Sequence, residues 1–244
     1  MKPIKATFLI SMPRCGSYAL SKIHNTRYCF AHHEGEDFDL IANPEKDYGD
    51  TCSGRCFKES KERGINYFCC DQSMGSQLCL MFAVKYRDDI RSGKIILSII
   101  SIDRDPDDVI ASYLNTKVKL YCHPMSLAAN ICQFSTIKQK TLDPLYSAGL
   151  IDIDSEHYFN YKDIIDSVAS PRFKLSFTAE VARITGSAWD WSDNLCLDRI
   201  QAASYSKHDK GKEALEENMN KVKEYISIRK EKEDKVKKGY SKNF

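Results

Sequence analysis

No stretch of this 244-residue chain approaches the roughly 20 apolar residues needed to span a bilayer, so no membrane segment is expected. No small-residue cleavage signature follows Met1-Lys-Pro-Ile-Lys, which runs directly into a strand-like segment. A soluble, non-secreted, cytoplasmic protein is the expectation. Charge of one sign is missing too: 36 basic residues stand against 34 acidic ones, a net of +2. That balance gives no general polyanion-binding surface, and nucleic acid is not an expected partner. No internal repeat is visible. The length suits a single domain over 1–244, with a Lys/Glu-rich helical tail from about 213.

Paired Cys-x-x-Cys knuckles are absent as well, although ten cysteines are present, at 15, 29, 52, 56, 69, 70, 79, 122, 132 and 196. Cys79 and Cys132 lie in apolar helical stretches and read as core thiols. Cys52-Ser-Gly-Arg-Cys56 and Cys69-Cys70 form the one cluster. With His32 and His33 it could make a zinc site or hold a disulfide, but free thiols are the expected state.

What is there begins with a strand–turn–helix unit. The apolar run 6–10 reads as a buried strand, broken at Met12-Pro13 because proline cannot continue a ladder. Gly16 and Ser17 open a helix over 17–24, with Leu20 and Ile23 on one side. Such a turn presents unpaired backbone N–H groups and the positive end of a helix dipole to an anion, and Arg14 adds a fixed charge. It is not the NTP-binding loop, which needs two glycines five residues apart and then Lys and Ser/Thr. Nor is it a Cys-x5-Arg phosphatase loop, since Ser21 stands six residues after Cys15.

Further on, 27–31 reads as a strand ending in His32-His-Glu-Gly-Glu-Asp37, titratable groups at a strand's carboxyl end, where open α/β sheets carry their sites. A polar loop is the plain alternative. Residues 39–63 read as an irregular surface excursion, with Pro44, Gly49 and Gly54. A helix is expected over 74–89, closed by Gly93, and then a parallel strand over 94–102 buried on both faces. Asp105 can cap the next helix, with Pro106 at its first position and Arg104 just before it. Arg104 and Ser112 near one helix end could share an anion. A long helix over 124–146, a strand over 156–160, a helix over 173–184 ended by Gly186, and a last helix carrying Leu215, Met219, Val222 and Ile226 complete the chain. Trp189 and Trp191 mark an aromatic loop. The fold class is α/β: a mostly parallel sheet flanked by helices.

Three segments, in order, resemble the sulfotransferase family. Pro13-Arg-Cys-Gly-Ser17 is similar to its 5′-phosphosulfate loop, with Cys15 in place of the usual serine and Tyr18 where a small hydroxyl residue is usual. Arg104-Asp-Pro through Ser112 resembles its 3′-phosphate element, and Tyr158-Phe-Asn-Tyr-Lys-Asp-Ile164 its Tyr-Glu-Asp-Leu strand-to-helix junction.

The resemblance implies the P-loop-like sulfotransferase architecture, 3′-phosphoadenosine 5′-phosphosulfate as donor and 3′,5′-bisphosphoadenosine as product. It implies that Arg14 contacts the transferring sulfuryl group and that Cys15, Gly16, Ser17 and Tyr18 surround the 5′-phosphate. Arg104 and Ser112 then hold the 3′-phosphate, and Tyr161 joins the donor site. Lys210, with Gly211, is faintly similar to the segment that closes on the nucleotide. Glu34 matches the family's base, with His33 as its rival. No metal is expected. The acceptor would be a hydroxyl or amine of a sugar, lipid, peptide or small molecule. A small-molecule kinase of related architecture and a catalytically degenerate nucleotide-binding module are the alternatives; neither the acceptor nor the oligomeric state can be read from the sequence.

Overall fold

The computed structural model describes residues 2–12, 15–33, 45–71, 74–114, 124–161, 171–187, 220–228, 230–231 and 235. Five strands form one sheet: β1 (Ile4–Ser11), β2 (Cys29–His32), β3 (Asn66–Cys69), β4 (Ile95–Asp103) and β5 (Glu156–Asn160), in the order β2-β3-β1-β4-β5. Every pairing is parallel. The longest runs from Ile4 opposite Ile95 to Ser11 opposite Ile102. The helices are α1 (Ser17–His24), α2 (Cys52–Arg63), α3 (Gly75–Lys85), α4 (Arg87–Arg91), α5 (Pro106–Leu114), α6 (Pro124–Ser147) and α7 (Pro171–Thr185).

Strand alternation sorts the core into two layers. Ala6, Phe8 and Ile10, with Ile95, Leu97 and Ile99, meet Phe57 of α2, Leu78 and Phe82 of α3, and Phe134, Leu142 and Leu145 of α6. Leu9, Ile100 and Ile102 on the other face meet Leu20 of α1 and Val181 and Ile184 of α7. The first layer is aromatic at its centre: Phe57 lies 4.8 Å from Phe82 and 5.6 Å from Tyr67, centroid to centroid. A buried phenylalanine of this kind costs about 3–5 kcal/mol when cut to alanine. Asp105 caps α5 as expected, its carboxylate accepting from Asp107 N at 2.8 Å.

Three sequence expectations need correction. Residues 52–63 are a helix, not part of an irregular excursion: Thr51 caps it by accepting from Gly54 N, and Gly64 closes it with φ 64°. Gly54 does not break the chain there. It permits a close approach, since a Cβ on it would lie 1.8 Å from Tyr48 O. The strand β3 had no alternating pattern to announce it, since Tyr67, Phe68 and Cys69 in succession are buried in a parallel sheet. The helix expected over 74–89 is two helices meeting at Tyr86. Cys79 is a core thiol, whereas Cys132 is only half-buried, and no disulfide joins the described cysteines. Residues 220–228 are helical and bring Val222 against Val109, Ile110 and Ile131. Trp189 and Trp191 lie outside the described residues.

The last residue of α1, His24, is fully buried, and its Nδ1 is 2.8 Å from Ser187 Oγ. Thr185 donates its hydroxyl proton to Val181 O at 2.8 Å, so its 2.9 Å bond to Ser187 must be donated by Ser187. Ser187 then has no proton for the ring, and His24 is the neutral Nδ1–H tautomer. Its Nε2 is buried without a partner, so a second proton would bury both a charge and an unmet donor. Burial accordingly pushes its pKa down to about 3.

The unfolded chain, with an ordinary histidine near 6.5, takes a proton that the folded chain refuses until about pH 3. This contribution to stability is therefore complete above about 6.5 and is lost as the pH falls towards 3. At roughly 1.4 kcal/mol per unit, the loss by pH 5 is about 2 kcal/mol. Urea unfolding between about pH 7.5 and about pH 4.5 measures it, and His24→Gln should flatten that part of the slope.

Candidate functional site

The connection after β1 leaves through α1 onto one face of the sheet. Those after β3 and β4 pass through α3 and α6 onto the other. In an open parallel sheet, the crevice beyond the carboxyl ends of strands whose connections part in this way is the usual ligand position. Here it lies beyond β1, between β3 and β4.

The turn after β1 is anchored to β4 at that crevice. Ile102 O accepts from Met12 N at 3.1 Å and from the Cys15 thiol at 3.8 Å. Gly16, at φ 81° and ψ 21°, then turns the chain into α1 from the left-handed region, where a side chain costs about 1–2 kcal/mol. The first helical bond follows, Leu20 N to Gly16 O at 3.0 Å. No side chain caps this end and no acid lies in its first turn. By contrast, α2 and α5 are capped by Thr51 and Asp105. The N–H groups that open α1 thus retain the dipole's positive character with no carboxylate in their own turn, a setting for an anion.

Around this turn the structure brings together several of the expected site residues. Ser17, at the first position of α1, is buried, with its Oγ 3.1 Å from His33 Nε2. The His33 ring also stands edge-on to the exposed Tyr18 ring, centroids 5.2 Å apart, and Lys22 Nζ is 5.3 Å from that ring. Burial, then the neighbouring His32 and Lys22, hold His33 below the ordinary histidine pKa. Across the crevice Arg104 follows β4, its guanidinium carbon 4.1 Å from the Tyr161 ring centroid. Such a contact holds the guanidinium against the ring. Asp103 beside it accepts from Tyr158 OH at 2.8 Å. Ser112 lies two turns into α5 and is half-buried. Arg14, Glu34 and Lys210 lie outside the described residues.

Sequence reasoning missed Asp71. It follows β3 at the same sheet edge, is buried, and accepts from Met74 N at 2.9 Å just before α3. An acid three residues ahead of a helix start was the available signal. Gly75 next to it allows α3 to abut β1: a Cβ there would lie 2.4 Å from Leu9 O.

No protein-family model matches the chain, and no curated protein matches it.

Cys15 shows which physical effect dominates in this turn. A thiol at a helix N-terminus beside an arginine would ordinarily be activated. Burial raises the Cys15 pKa to about 12, against the lowering effect of Arg104 and with a further rise from Asp103. The thiol is 2 % exposed and remains protonated at any physiological pH. Iodoacetamide at about pH 8, followed by peptide mapping, should therefore leave Cys15 unmodified in the folded protein and modify it only in urea. Alkylation of Cys15 in the native chain at the rate of an exposed thiol would contradict the burial argument.

Proposed function

We propose that the chain is a sulfotransferase, moving the sulfuryl group of 3′-phosphoadenosine 5′-phosphosulfate to a hydroxyl or amine acceptor. One observation carries the reading. The segments resembling the family's 5′ and 3′ nucleotide elements are far apart in sequence, yet Cys15 of the first donates to Ile102 O, two residues ahead of the second, and feels the charge of Arg104. The acid-free start of α1 suits a 5′-phosphosulfate, and Arg104, over the Tyr161 ring, suits a 3′-phosphate. The third segment that resembles the family supplies Tyr161 itself.

On this reading, Gly16 and Ser17 hold the 5′-phosphate through backbone N–H groups. Arg14, assigned by resemblance, steadies the sulfuryl group as charge spreads over its equatorial oxygens. Positioned cations and N–H dipoles supply that stabilisation without reorganising during transfer. The acceptor proton goes to Glu34 or His33. His33 stands beside Ser17 at the start of α1; Glu34, the family's better match, follows it directly in the chain.

Donor recognition can be tested by calorimetry. 3′,5′-Bisphosphoadenosine should bind far more tightly than 5′-AMP. Arg104→Ala should erase most of the difference, about 2–3 kcal/mol for a charge-assisted contact, or roughly 30–150-fold in Kd. Equal affinity for the two nucleotides would defeat the 3′-phosphate assignment, and magnesium-dependent ATP consumption would favour a kinase instead.

The base is tested by single-turnover transfer, once an acceptor screen with labelled donor has named a substrate. Glu34→Gln keeps shape and hydrogen bonding but cannot take the proton, so it should bind donor normally and lose roughly 10²–10⁴-fold in rate. His33→Asn should lose much less. The reverse pattern would transfer the role to the histidine.

A further inference from the structure

Consecutive residues of an extended chain point to opposite faces, and His32, which ends β2, and His33, which follows it, divide accordingly. His33 turns to α1, whereas His32 turns to α2, where its Nε2 is 3.3 Å from Cys52 Sγ. Cys56 stands four residues after Cys52, on the same face of α2. One ligand atom from each of His32, Cys52 and Cys56 lies within 4.8 Å of the other two.

We propose that His32, Cys52 and Cys56 bind a zinc-class divalent metal ion, with solvent supplying the fourth position. Bond lengths of about 2.3 Å to sulfur and 2.0 Å to nitrogen place tetrahedral ligand atoms about 3.5–3.8 Å apart. The His32–Cys52 separation, 3.3 Å, is close to this, and small thiol rotations adjust it and close the rest. Two sulfurs and an imidazole select zinc or another thiophilic ion over magnesium or calcium. His32 is buried while both cysteines are half-buried, so the ion is held at the wall and approached from the solvent side.

The surrounding fold keeps the set in place. Thr51 caps the first turn of α2, and Gly54 packs against Tyr48 O. Ser53, between the two cysteines, bridges Tyr48 OH at 2.9 Å and Tyr67 OH at 2.7 Å. Such supporting contacts orient metal ligands before the ion arrives. Cys69 lies behind, fully buried and engaged by Ser53 at 3.7 Å, and Cys70 belongs to the opposite face. Neither is part of the set. Binding is balanced by deprotonation: each thiol gives up its proton to buffer as its sulfur takes the metal, and neutral His32 donates a lone pair.

The test uses the full-length chain, reduced with a phosphine and stripped with a chelator. One equivalent of Co²⁺ should give thiolate-to-cobalt charge-transfer absorption with tetrahedral ligand-field bands, which Zn²⁺ then abolishes. Calorimetry in buffers of differing ionisation enthalpy should show about two protons released per zinc. Cys52→Ser, Cys56→Ser and His32→Gln should each weaken zinc binding by roughly 100-fold or more, since even outer contacts are worth 10–100-fold. Cys132→Ser, on α6, should leave it unchanged. A second readout needs no variant: zinc should protect Cys52 and Cys56, but not Cys132, from alkylation of the wild-type chain. No charge-transfer band, or alkylation of Cys52 and Cys56 at the metal-free rate with zinc present, would overturn the proposal. So would wild-type affinity in a folded Cys56→Ser chain.

Discussion

The structure depends on the pairing of β1 with β4. These strands lie side by side in a parallel ladder from Ile4 and Ile95 to Ser11 and Ile102, although the residues between them build β2, β3 and three or more helices. A parallel ladder needs a crossover, and a right-handed crossover reaches the two sides of β1 only by placing helices on opposite faces. That one constraint divides the core into its two layers and opens the crevice beyond β1. Met12, immediately after β1, packs against both layers and against the third cluster formed by α5, α6 and Val222. The turn that follows therefore starts from a residue that touches all three apolar clusters of the described residues. A loop with so well-determined an origin can present backbone donors at fixed positions, which anion recognition requires.

The parts legible in the sequence were those whose signal is local. A β-branched run such as 95–102 is a buried parallel strand because no other element uses so much apolar surface on both faces. The start of α5 was readable because Asp105, Pro106, Asp107 and Asp108 each suit a helix N-terminus for its own physical reason. What escaped depends on distant partners. Gly54 looks like a breaker until Tyr48 O is found against it, and β3 gains its identity only from neighbours on both sides. For the candidate site, motif order singled out the segments that follow β1 and β4. The stacking of Arg104 on Tyr161 could not be read, because it joins two strands' ends across the sheet edge.

The same limit applies to charge. A thiol at a helix start, like that of Cys15, would ordinarily be activated. In the folded chain, desolvation outweighs the favourable charge of Arg104, because the side chain turns inward against Leu9 and Leu20 and donates to Ile102 O. The residue acts as a hydrophobic anchor with a weak donor, joining the turn to β4.

His32 and His33 send two imidazoles from one dipeptide to opposite faces of the sheet. The pleat sends neighbouring side chains apart, so an imidazole meeting α1 and one meeting α2 require no loop between them. Their environments differ in kind. His33 meets a serine hydroxyl, the edge of a tyrosine ring and the charge of Lys22, a polar setting that suits proton exchange with an incoming group. His32 meets two sulfurs on a rigid helical turn, a setting that suits a soft ion. The backbone between them is fixed by its ladder, with Cys70 N donating to His32 O at 2.7 Å. A one-residue slip of β2 would exchange the two faces and remove both arrangements at once, so the register of this short strand carries more functional weight than its four residues suggest.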